Sequence, residues 1–358
     1  MNTTDRAVLG RRLQMIRGLY WGYGSNGDPY PMLLCGHDDD PHRWYRGLGG
    51  SGVRRSRTET WVVTDHATAV RVLDDPTFTR ATGRTPEWMR AAGAPASTWA
   101  QPFRDVHAAS WDAELPDPQE VEDRLTGLLP APGTRLDLVR DLAWPMASRG
   151  VGADDPDVLR AAWDARVGLD AQLTPQPLAV TEAAIAAVPG DPHRRALFTA
   201  VEMTATAFVD AVLAVTATAG AAQRLADDPD VAARLVAEVL RLHPTAHLER
   251  RTAGTETVVG EHTVAAGDEV VVVVAAANRD AGVFADPDRL DPDRADADRA
   301  LSAQRGHPGR LEELVVVLTT AALRSVAKAL PGLTAGGPVV RRRRSPVLRA
   351  TAHCPVEL

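Results

Sequence analysis

Residues 238–241 read Glu238-Val239-Leu240-Arg241, and Leu242-His243-Pro244 follow them. The spacing of apolar residues predicts a helix over residues 230–242, which ends there because the residue before a proline avoids helical geometry. Glu238 and Arg241 are three residues apart, so they lie on one side of this helix and can pair. A lone pair of this kind is worth only about 0.2–0.5 kcal/mol. The sequence around the pair therefore determines what it means.

The segment that follows the helix predicts a small sheet, a polar loop and a last helix. Residues 256–259, 262–264 and 268–274 have the β-branched pattern of short strands and are separated by glycines. Residues 278–305 are rich in Asp, Pro and Arg, which is typical of loops, and they include Arg294. An apolar stripe then predicts a helix over residues 311–330.

Upstream of the pair, the pattern is mainly helical. Leu9, Leu13 and Ile16 form the apolar stripe of an N-terminal helix, and residues 196–215 predict a long, Ala-rich, buried helix. Residues 61–63 predict a strand, and residues 65–73 a helix capped by Thr64 or Asp65. Helices with a small, late sheet indicate a mostly α protein with a small β region, of the α+β class.

In this order of features the chain resembles the bacterial cytochrome P450 superfamily. Glu238 and Arg241 match the family's helix-borne Glu-x-x-Arg pair, and Arg294 matches the arginine that completes a triad. The resemblance extends to Asp28-Pro29-Tyr30-Pro31 and residues 61–78, and it covers most of the chain. It implies a truncated P450 fold in one domain over residues 1–358, with a structural role for the triad.

The resemblance also implies a haem whose iron is bound by a cysteine thiolate, and the sequence departs from it there. The family's ligand loop should lie between Arg294 and the last helix, but residues 295–310 are few and contain no cysteine. Cys354 is far away, near the C-terminus. His307 could act as a histidine ligand, although Pro308-Gly309 favours a turn. We therefore expect no haem, no metal, and no catalytic or cofactor-binding residue.

Three further parts of the family's chemistry are altered. Residues 200–203, Ala-Val-Glu-Met, stand where the family has an oxygen-activating Ala-Gly-x-acid-Thr. Residues 103–111 lack most of the basic residues that pair with haem propionates in the family, although Arg251 persists. Residues 146–192 look too short for the usual two helices above a substrate cavity. Together these departures predict a protein that is not an enzyme.

Composition excludes several other classes. The chain has 358 residues and a formal net charge of −7, which gives it no electrostatic reason to bind nucleic acid or an anionic membrane. The basic run of residues 341–344 is expected to form a solvated turn or a strand edge. The longest apolar run of the chain, residues 270–277, is too short to span a bilayer. Two cysteines, Cys35 and Cys354, leave a single disulfide open, and we expect a reduced, cytoplasmic protein.

A P450-like chain without the haem cysteine resembles a narrow group of auxiliary proteins. These proteins serve the glycosyltransferases of macrolide and anthracycline pathways, including the desosaminyltransferase of the erythromycin pathway. Residues 13–18, 30–40 and 341–348 carry this resemblance. It implies that the chain binds, stabilises and activates a transferase that moves a TDP-activated aminodeoxysugar, such as desosamine, to a macrolide. The two proteins would form a hetero-oligomer in which the partner performs the chemistry.

Two enzymatic alternatives remain open from the sequence. A TDP-4-keto-6-deoxyhexose 3,4-isomerase needs a base near the acidic carbon of its substrate, and Glu202 is the candidate. A residual haem-binding P450 monooxygenase would need His307 as its ligand.

The sequence offers one candidate surface for a partner. Within the N-terminal 60 residues, all four tyrosines and two tryptophans lie in residues 20–45: Tyr20, Trp21, Tyr23, Tyr30, Trp44 and Tyr45. Tyr and Trp are enriched among the residues that dominate protein interfaces. The same residues could instead pack the N-terminal segment onto the core, and the sequence does not separate these two hypotheses.

Overall fold

Helices dominate the fold. The computed structural model describes residues 3–48, 52–91, 93, 101–153, 155–170, 175–188, 194–218, 220–228, 230–330 and 332–358. The helices are α1 (Thr3–Ser25), α2 (Pro29–Cys35), α3 (His42–Leu48), α4 (His66–Asp74), α5 (Glu87–Ala91), α6 (Gln101–Ala108), α7 (Pro118–Thr126), α8 (Trp144–Gly150), α9 (Pro156–Ala165), α10 (Pro175–Ala187), α11 (Arg194–Ala217), α12 (Ala221–Asp227), α13 (Val231–Leu242), α14 (Val274–Ala277) and α15 (Leu311–Ala329). A π-helical turn, Leu138–Ala143, leads directly into α8.

The long helix α11 forms the centre of the molecule. It packs against α15, α13, α8 and α6, and its side chains are buried on nearly every face between Phe198 and Val212. Among the described residues it is the one helix whose length and composition would allow it to cross a membrane. Because 78% of its most apolar window is buried inside the protein, it is better explained as a core helix.

Helix α15 covers one side of this core. Leu314, Val315, Leu318, Ala322 and Val326 are all buried, as the apolar stripe predicted. The helix also packs on α7 and α13. Of the two expected N-cap candidates of α4, Thr64 and Asp65, the structure has Asp65 as the cap, and its carboxylate accepts a hydrogen bond of 2.8 Å from the backbone N–H of Thr68.

The strands form one mixed sheet and three smaller ones. They are β1 (Val53–Arg55), β2 (Trp61–Val63), β3 (Phe78–Thr79), β4 (Arg135–Asp137), β5 (Glu249–Ala253), β6 (Thr257–Val259), β7 (His262–Val264), β8 (Glu269–Val272), β9 (Thr334–Ala335), β10 (Val340–Arg341), β11 (Thr351–His353) and β12 (Pro355–Glu357). The five-stranded sheet has the order β1-β2-β8-β5-β3. Strands β2 and β8 are parallel, with Trp61 opposite Val270, so the N-terminal region joins the sheet of the C-terminal half.

Two sequence-based expectations are corrected by the fold. The strand expected over residues 268–274 ends at Val272, and α14 begins at Val274. The region 146–192 was expected to be too short for two helices, but it contains α9 and α10, which pack against each other. The two helices have 10 and 13 residues, so the region is long enough for both.

Candidate functional site

Glu238, Arg241 and Arg294 meet in the protein interior. One guanidinium edge of Arg241 donates two hydrogen bonds to the Glu238 carboxylate, Nε to Oε2 and Nη2 to Oε1, each at 2.8 Å. Nε of Arg294 donates to Oε2 of Glu238, also at 2.8 Å. All three side chains are at most 4% exposed. Charge-assisted bonds of this bidentate geometry are among the strongest in proteins, and here they hold α13 to a loop.

The remaining donors of the triad fix the path of that loop. Nη1 of Arg241 donates to the carbonyl oxygens of Asn278 and Pro287, at 2.6 and 2.8 Å. Nη1 of Arg294 donates to the Asp296 carboxylate at 2.8 Å. The arrangement satisfies buried charges with backbone carbonyls, which is the geometry of a structural cluster.

Glu202, on α11, is fully engaged by neighbouring side chains. Its Oε1 lies 2.6 Å from Nη2 of Arg342, and its Oε2 accepts a 2.9 Å hydrogen bond from the Trp144 indole. Nε of Arg166 lies 3.8 Å from the same Oε2. A general base needs a free lone pair that a substrate can approach. This geometry therefore disfavours Glu202 as the catalytic base of an isomerase.

The basic run near the C-terminus divides between the interior and the surface. Arg341 Nη1 lies 2.8 Å from Oδ1 of Asp210, so Arg341 and Arg342 neutralise the two carboxylates of α11. Arg343 is exposed. Arg341 ends the edge strand β10 and residues 343–344 form a turn, as expected. Solvation was expected too, and this is wrong for Arg341 and Arg342, because buried carboxylates on α11 need cationic partners.

A second buried carboxylate, Glu249 on β5, collects basic side chains from distant parts of the chain. Arg80 Nε donates to its Oε1 at 2.8 Å, and Arg251 Nε lies 3.1 Å from the same oxygen. His107 Nε2 faces Oε2 at 3.6 Å. Burial raises the pKa of Glu249, but His107, Arg80 and Arg251 outweigh it and lower the pKa to about 2. The carboxylate is thus an internal counter-ion for this basic cluster.

His307 belongs to the edge of the same cluster. Nη1 of Arg251 lies 2.6 Å from Nε2 of His307, and Nη2 of Arg251 donates to the carbonyl oxygen of Arg305 at 2.9 Å. Burial and then the nearby charges of Arg80 and Arg251 lower the pKa of the His307 imidazole to about 4. Its neutral ring accepts a hydrogen bond from a guanidinium, which uses the lone pair that a metal would need.

Comparisons with known proteins agree with this fold. Residues 230–308 match the family model described as Cytochrome P450. The chain is 73% identical to the cytochrome P450 family protein EryCII of Saccharopolyspora erythraea, with 100% of both chains covered. The chain belongs to the cytochrome P450 family. The protein DesVIII of Streptomyces venezuelae is 32% identical over 99% of this chain and 96% of its own length.

Solved P450 structures share the fold at low sequence identity. Ligand-free CYP164A2 of Mycobacterium smegmatis superimposes with a TM-score of 0.69 over 92% of this chain and 99% of its own, at 20% identity. At this level of identity the likeness concerns the fold alone. The P450 architecture is thus present, with the mixed sheet and the packing of α11 described above.

The P450 fold normally holds haem, so the residues before α15 need to be tested against that group. The sequence has no cysteine between Arg294 and α15, and the histidine in this interval, His307, already accepts a hydrogen bond from Arg251. The basic residues Arg80, His107 and Arg251 face a carboxylate of the chain itself, Glu249. This donor set does not fit a thiolate-ligated haem.

Neither cysteine compensates for this difference. Cys35 ends α2 and Cys354 lies between β11 and β12; both are buried, free thiols, so the disulfide left open by the sequence is not formed. Burial raises the pKa of each thiol to about 11, which disfavours the thiolate that a metal would bind. Within the described residues, no group of three or more His, Cys, Asp or Glu side chains could hold a metal ion.

The six aromatic residues proposed for a partner surface are divided by the fold. Tyr20, Tyr30 and Tyr45 are buried in the hydrophobic core, so for these three the packing hypothesis holds and the interface assignment is corrected. The Tyr45 hydroxyl bonds Nδ1 of His247 at 2.7 Å, which links α3 to the loop before β5. A side chain without exposed surface cannot contact a partner unless the fold rearranges.

The other three aromatic residues reach the surface. Trp21 is 46% exposed, while Tyr23 and Trp44 are half-buried. Tyr23 packs edge-on against Trp88, with ring centroids 6.5 Å apart. The Arg43 guanidinium lies 4.4 Å from the ring centroid of Trp44. The indole N–H of Trp44 donates a hydrogen bond to the Asp38 carboxylate. These three remain candidates for a partner surface.

Sequence reasoning missed the Glu249 cluster and the partners of Glu202. Strand β5 has the polar sequence Glu249-Arg250-Arg251 although all of its residues are buried, so no alternation of apolar residues marks it. The burial of Tyr20 could have been predicted, because Tyr20 continues the buried stripe of Leu13 and Ile16 at helical spacing.

Proposed function

We propose that this chain is a non-catalytic partner of a glycosyltransferase in macrolide antibiotic biosynthesis. It binds, stabilises and activates an enzyme that transfers a TDP-activated aminodeoxysugar of the desosamine type, and it acts in the cytoplasm. The resemblance to auxiliary P450-like proteins supports this function over the whole chain. The proposal also includes a hetero-oligomer with the transferase, and no nucleic-acid or membrane partner.

One observation carries the non-catalytic part of the proposal. The charged residues that remain at the family's chemical positions are all used for internal pairing: Glu202 with Arg342, and Arg251 with Glu249. Catalytic groups need open, suitably titrating lone pairs in a cleft. Groups that neutralise one another inside the protein stabilise a fold, so the function of this chain lies in contacts with another protein.

The rest of the inherited site agrees with a protein that works without haem. His307 is hydrogen-bonded by Arg251, and its pKa is lowered to about 4. The three basic side chains around Glu249, which are Arg80, His107 and Arg251, have a counter-ion from their own chain. We propose that the protein folds and acts as an apoprotein, because a carboxylate of the chain itself already pairs with these arginines.

Activation needs no chemistry from the activator. A protein that binds only the competent conformation of an enzyme increases its population by mass action, and it protects that enzyme from unfolding. At a concentration one hundred times its Kd, such a partner stabilises the bound conformation by about 2.7 kcal/mol. This is enough to convert a mostly inactive transferase into a mostly active one.

Co-purification tests the proposal. The chain and the aminodeoxysugar transferase of its own pathway are co-expressed, with an affinity tag on the transferase alone. We expect a stoichiometric complex, and a higher melting temperature for the transferase in the complex than alone. Separate elution of the two proteins, with an unchanged melting temperature of the transferase, would contradict the proposed partnership.

A further inference from the structure

Helix α1 has an exposed face that no other described part of the chain covers. Exposed residues recur along it at helical spacing: Arg11, Gln14, Met15, Gly18, Trp21, Gly22 and Ser25. Two of them are large apolar side chains, with Met15 45% and Trp21 46% exposed. The opposite face, with Leu13, Ile16 and Tyr20, is buried in the core. These seven exposed residues form the α1 face.

Two glycines on the α1 face have no explanation in their contacts with the described residues. Glycine is the poorest helix former after proline, so an interior helical glycine needs a reason. A Cβ added to Gly18 or Gly22 would meet no atom within 4 Å. Gly24 is different, because a Cβ there would lie 2.3 Å from the sulfur of Met32. Packing explains Gly24, whereas the space beside Gly18 and Gly22 is open to something outside the chain.

Positive charge surrounds the Trp21 end of this face. Residues 6–27 contain four arginines and no acidic residue, in a chain whose net charge is −7. Arg17 precedes Trp21 by one helical turn. The Trp21 ring lies 5.9 Å from the ring of His37, and the backbone N–H of Arg344 donates to the carbonyl of Gly36 at 2.6 Å.

The arginines of the C-terminal run complete this rim. Within the described residues, neither Arg343 nor Arg344 forms a salt bridge, although Arg341 and Arg342 do. Burial and the charges of Arg344, Arg17 and Arg343 lower the pKa of His37, as expected where guanidinium groups lie close together. Arg343 and Arg344 thus add positive charge beside an exposed indole, and Asp38 is the acidic residue that acts on His37 in the opposite sense.

We propose that the α1 face is the docking surface for a helix of the glycosyltransferase that carries Asp or Glu side chains. The inference rests on the proposed function and assigns a surface to it. Glycines four residues apart let a second helix approach closely, while Met15 and Trp21 pack on either side. Carboxylates of the partner would pair with Arg343 and Arg344, since complementary charge guides and orients association.

The test compares substitutions on this face with matched controls, in the full chain and with the transferase. Gly18→Ala/Gly22→Ala, Trp21→Ala and Arg343→Glu are titrated into the transferase by calorimetry, and each variant is also melted alone. Val258→Ala is the control for Trp21, because Val258 is 54% exposed on the separate β6–β7 hairpin. Gly24→Ala is the control for the glycines.

Each variant has a defined expectation. The double glycine variant should melt at a higher temperature than the wild type, because alanine favours the helix, yet bind at least about tenfold more weakly. Trp21→Ala should weaken binding about thirtyfold, as interface anchors do, with an unchanged melting temperature. Arg343→Glu should also weaken binding, and more strongly at low salt. Val258→Ala should bind normally, and Gly24→Ala should lose thermal stability.

Two results would overturn the inference while leaving the proposed function intact. In one, the wild-type complex is active, but the double glycine variant or Trp21→Ala binds the transferase as tightly as the wild type. The other is a loss of affinity that appears equally in Val258→Ala. A wild-type chain that neither binds nor activates the transferase would instead contradict the proposed function itself.

Discussion

Glu238 is the residue on which the fold depends most visibly. It holds two buried arginines, Arg241 and Arg294, and the backbone N–H of Asp291 also donates to its Oε1 at 3.0 Å. A buried ion pair adds little over a well-packed apolar substitute, but removing one member leaves unpaired charge in the interior. The cost of losing Glu238 is therefore expected to be large, and it concerns folding rather than chemistry.

Replacing Glu238 by alanine should lower the free energy of unfolding by roughly 3–5 kcal/mol. Glu313→Ala is the matched control: Glu313 pairs with Arg310 at the same three-residue spacing, at 2.7 Å, but both side chains are about half exposed. The control should cost less than about 1 kcal/mol. Urea unfolding of both variants measures the difference. A Glu238→Ala protein with normal stability but no activating effect would contradict the structural role.

Buried histidines should make the protein sensitive to acid. Burial lowers the pKa of His243 to about 4; Asp210 opposes this shift, while Arg279, Arg341 and His42 add to it. The pKa of the buried His247 is also lowered, mainly by burial. In each case the folded protein keeps the imidazole neutral at a pH where the unfolded chain has already bound a proton.

The direction of the pH effect follows from these shifts. Between about pH 6.5 and pH 4 the unfolded state binds more protons than the folded state, so stability falls as pH falls, by up to about 1.4 kcal/mol per pH unit for each such histidine. His243→Gln should flatten the dependence of unfolding free energy on pH over this range. Denaturant titrations at several pH values measure this slope. An unchanged slope would mean that His243 takes up its proton equally in both states.

His307 gives the most direct test of the proposed absence of haem. With Arg251 bonded to its ring and no cysteine in the interval before α15, protein purified from haem-supplemented cells should show no Soret absorption. The measurement is an absorption spectrum of the wild type and of His307→Ala. A stoichiometric Soret band that His307→Ala removes would show instead a histidine-ligated haem protein.

At the scale of elements, the central helix α11 is held by the segment around β10. Adjacent arginines there have opposite environments, since Arg342 pairs with buried Glu202 at 2.6 Å and Arg343 is exposed. Arg342→Met should therefore lower the unfolding free energy by about 3 kcal/mol, whereas Arg343→Met should change it by less than about 0.5 kcal/mol. Urea unfolding of the two variants side by side provides the comparison. Equal stabilities would show that Glu202 does not need Arg342.

The elements that could be predicted from the sequence are those whose stability is encoded locally. Helices α11, α13 and α15 have continuous apolar stripes, and α4 has its Asp65 cap, so their positions follow from helical periodicity. Strand β5 could not be found in this way. Its buried charges are compensated by Arg80, which is 169 residues earlier in the chain, and such a partner has no local signature.

The candidate site shows the same limit. The triad could be predicted because Glu238, Arg241 and Arg294 match a known motif. The density of aromatic residues in the N-terminal segment indicated a special region, but it could not tell Tyr20 from Trp21. Neighbours on a helix point about 100° apart, so one can be buried and the other exposed. Only the packing of α1 against the core separates them.

At the scale of the whole molecule, a P450 architecture is stabilised through its own charges. The cores around α11 and the mixed sheet belong to one continuous hydrophobic cluster among the described residues. We propose on this basis that residues 1–358 form one domain. Buried carboxylates such as Glu202, Glu238 and Glu249 each have arginine partners within the chain. A protein whose buried carboxylates are paired in this way can serve as a binding partner.

We propose that the chain activates a glycosyltransferase without doing chemistry itself. This is tested by the rate of aminodeoxysugar transfer from the TDP donor to the macrolide acceptor, at fixed transferase concentration and increasing concentration of this protein. We expect a rate that rises and saturates near one equivalent, equally with protein free of haem, and no turnover without the transferase. A transfer rate independent of the added protein, or sugar conversion by this protein alone, would contradict the proposed activation.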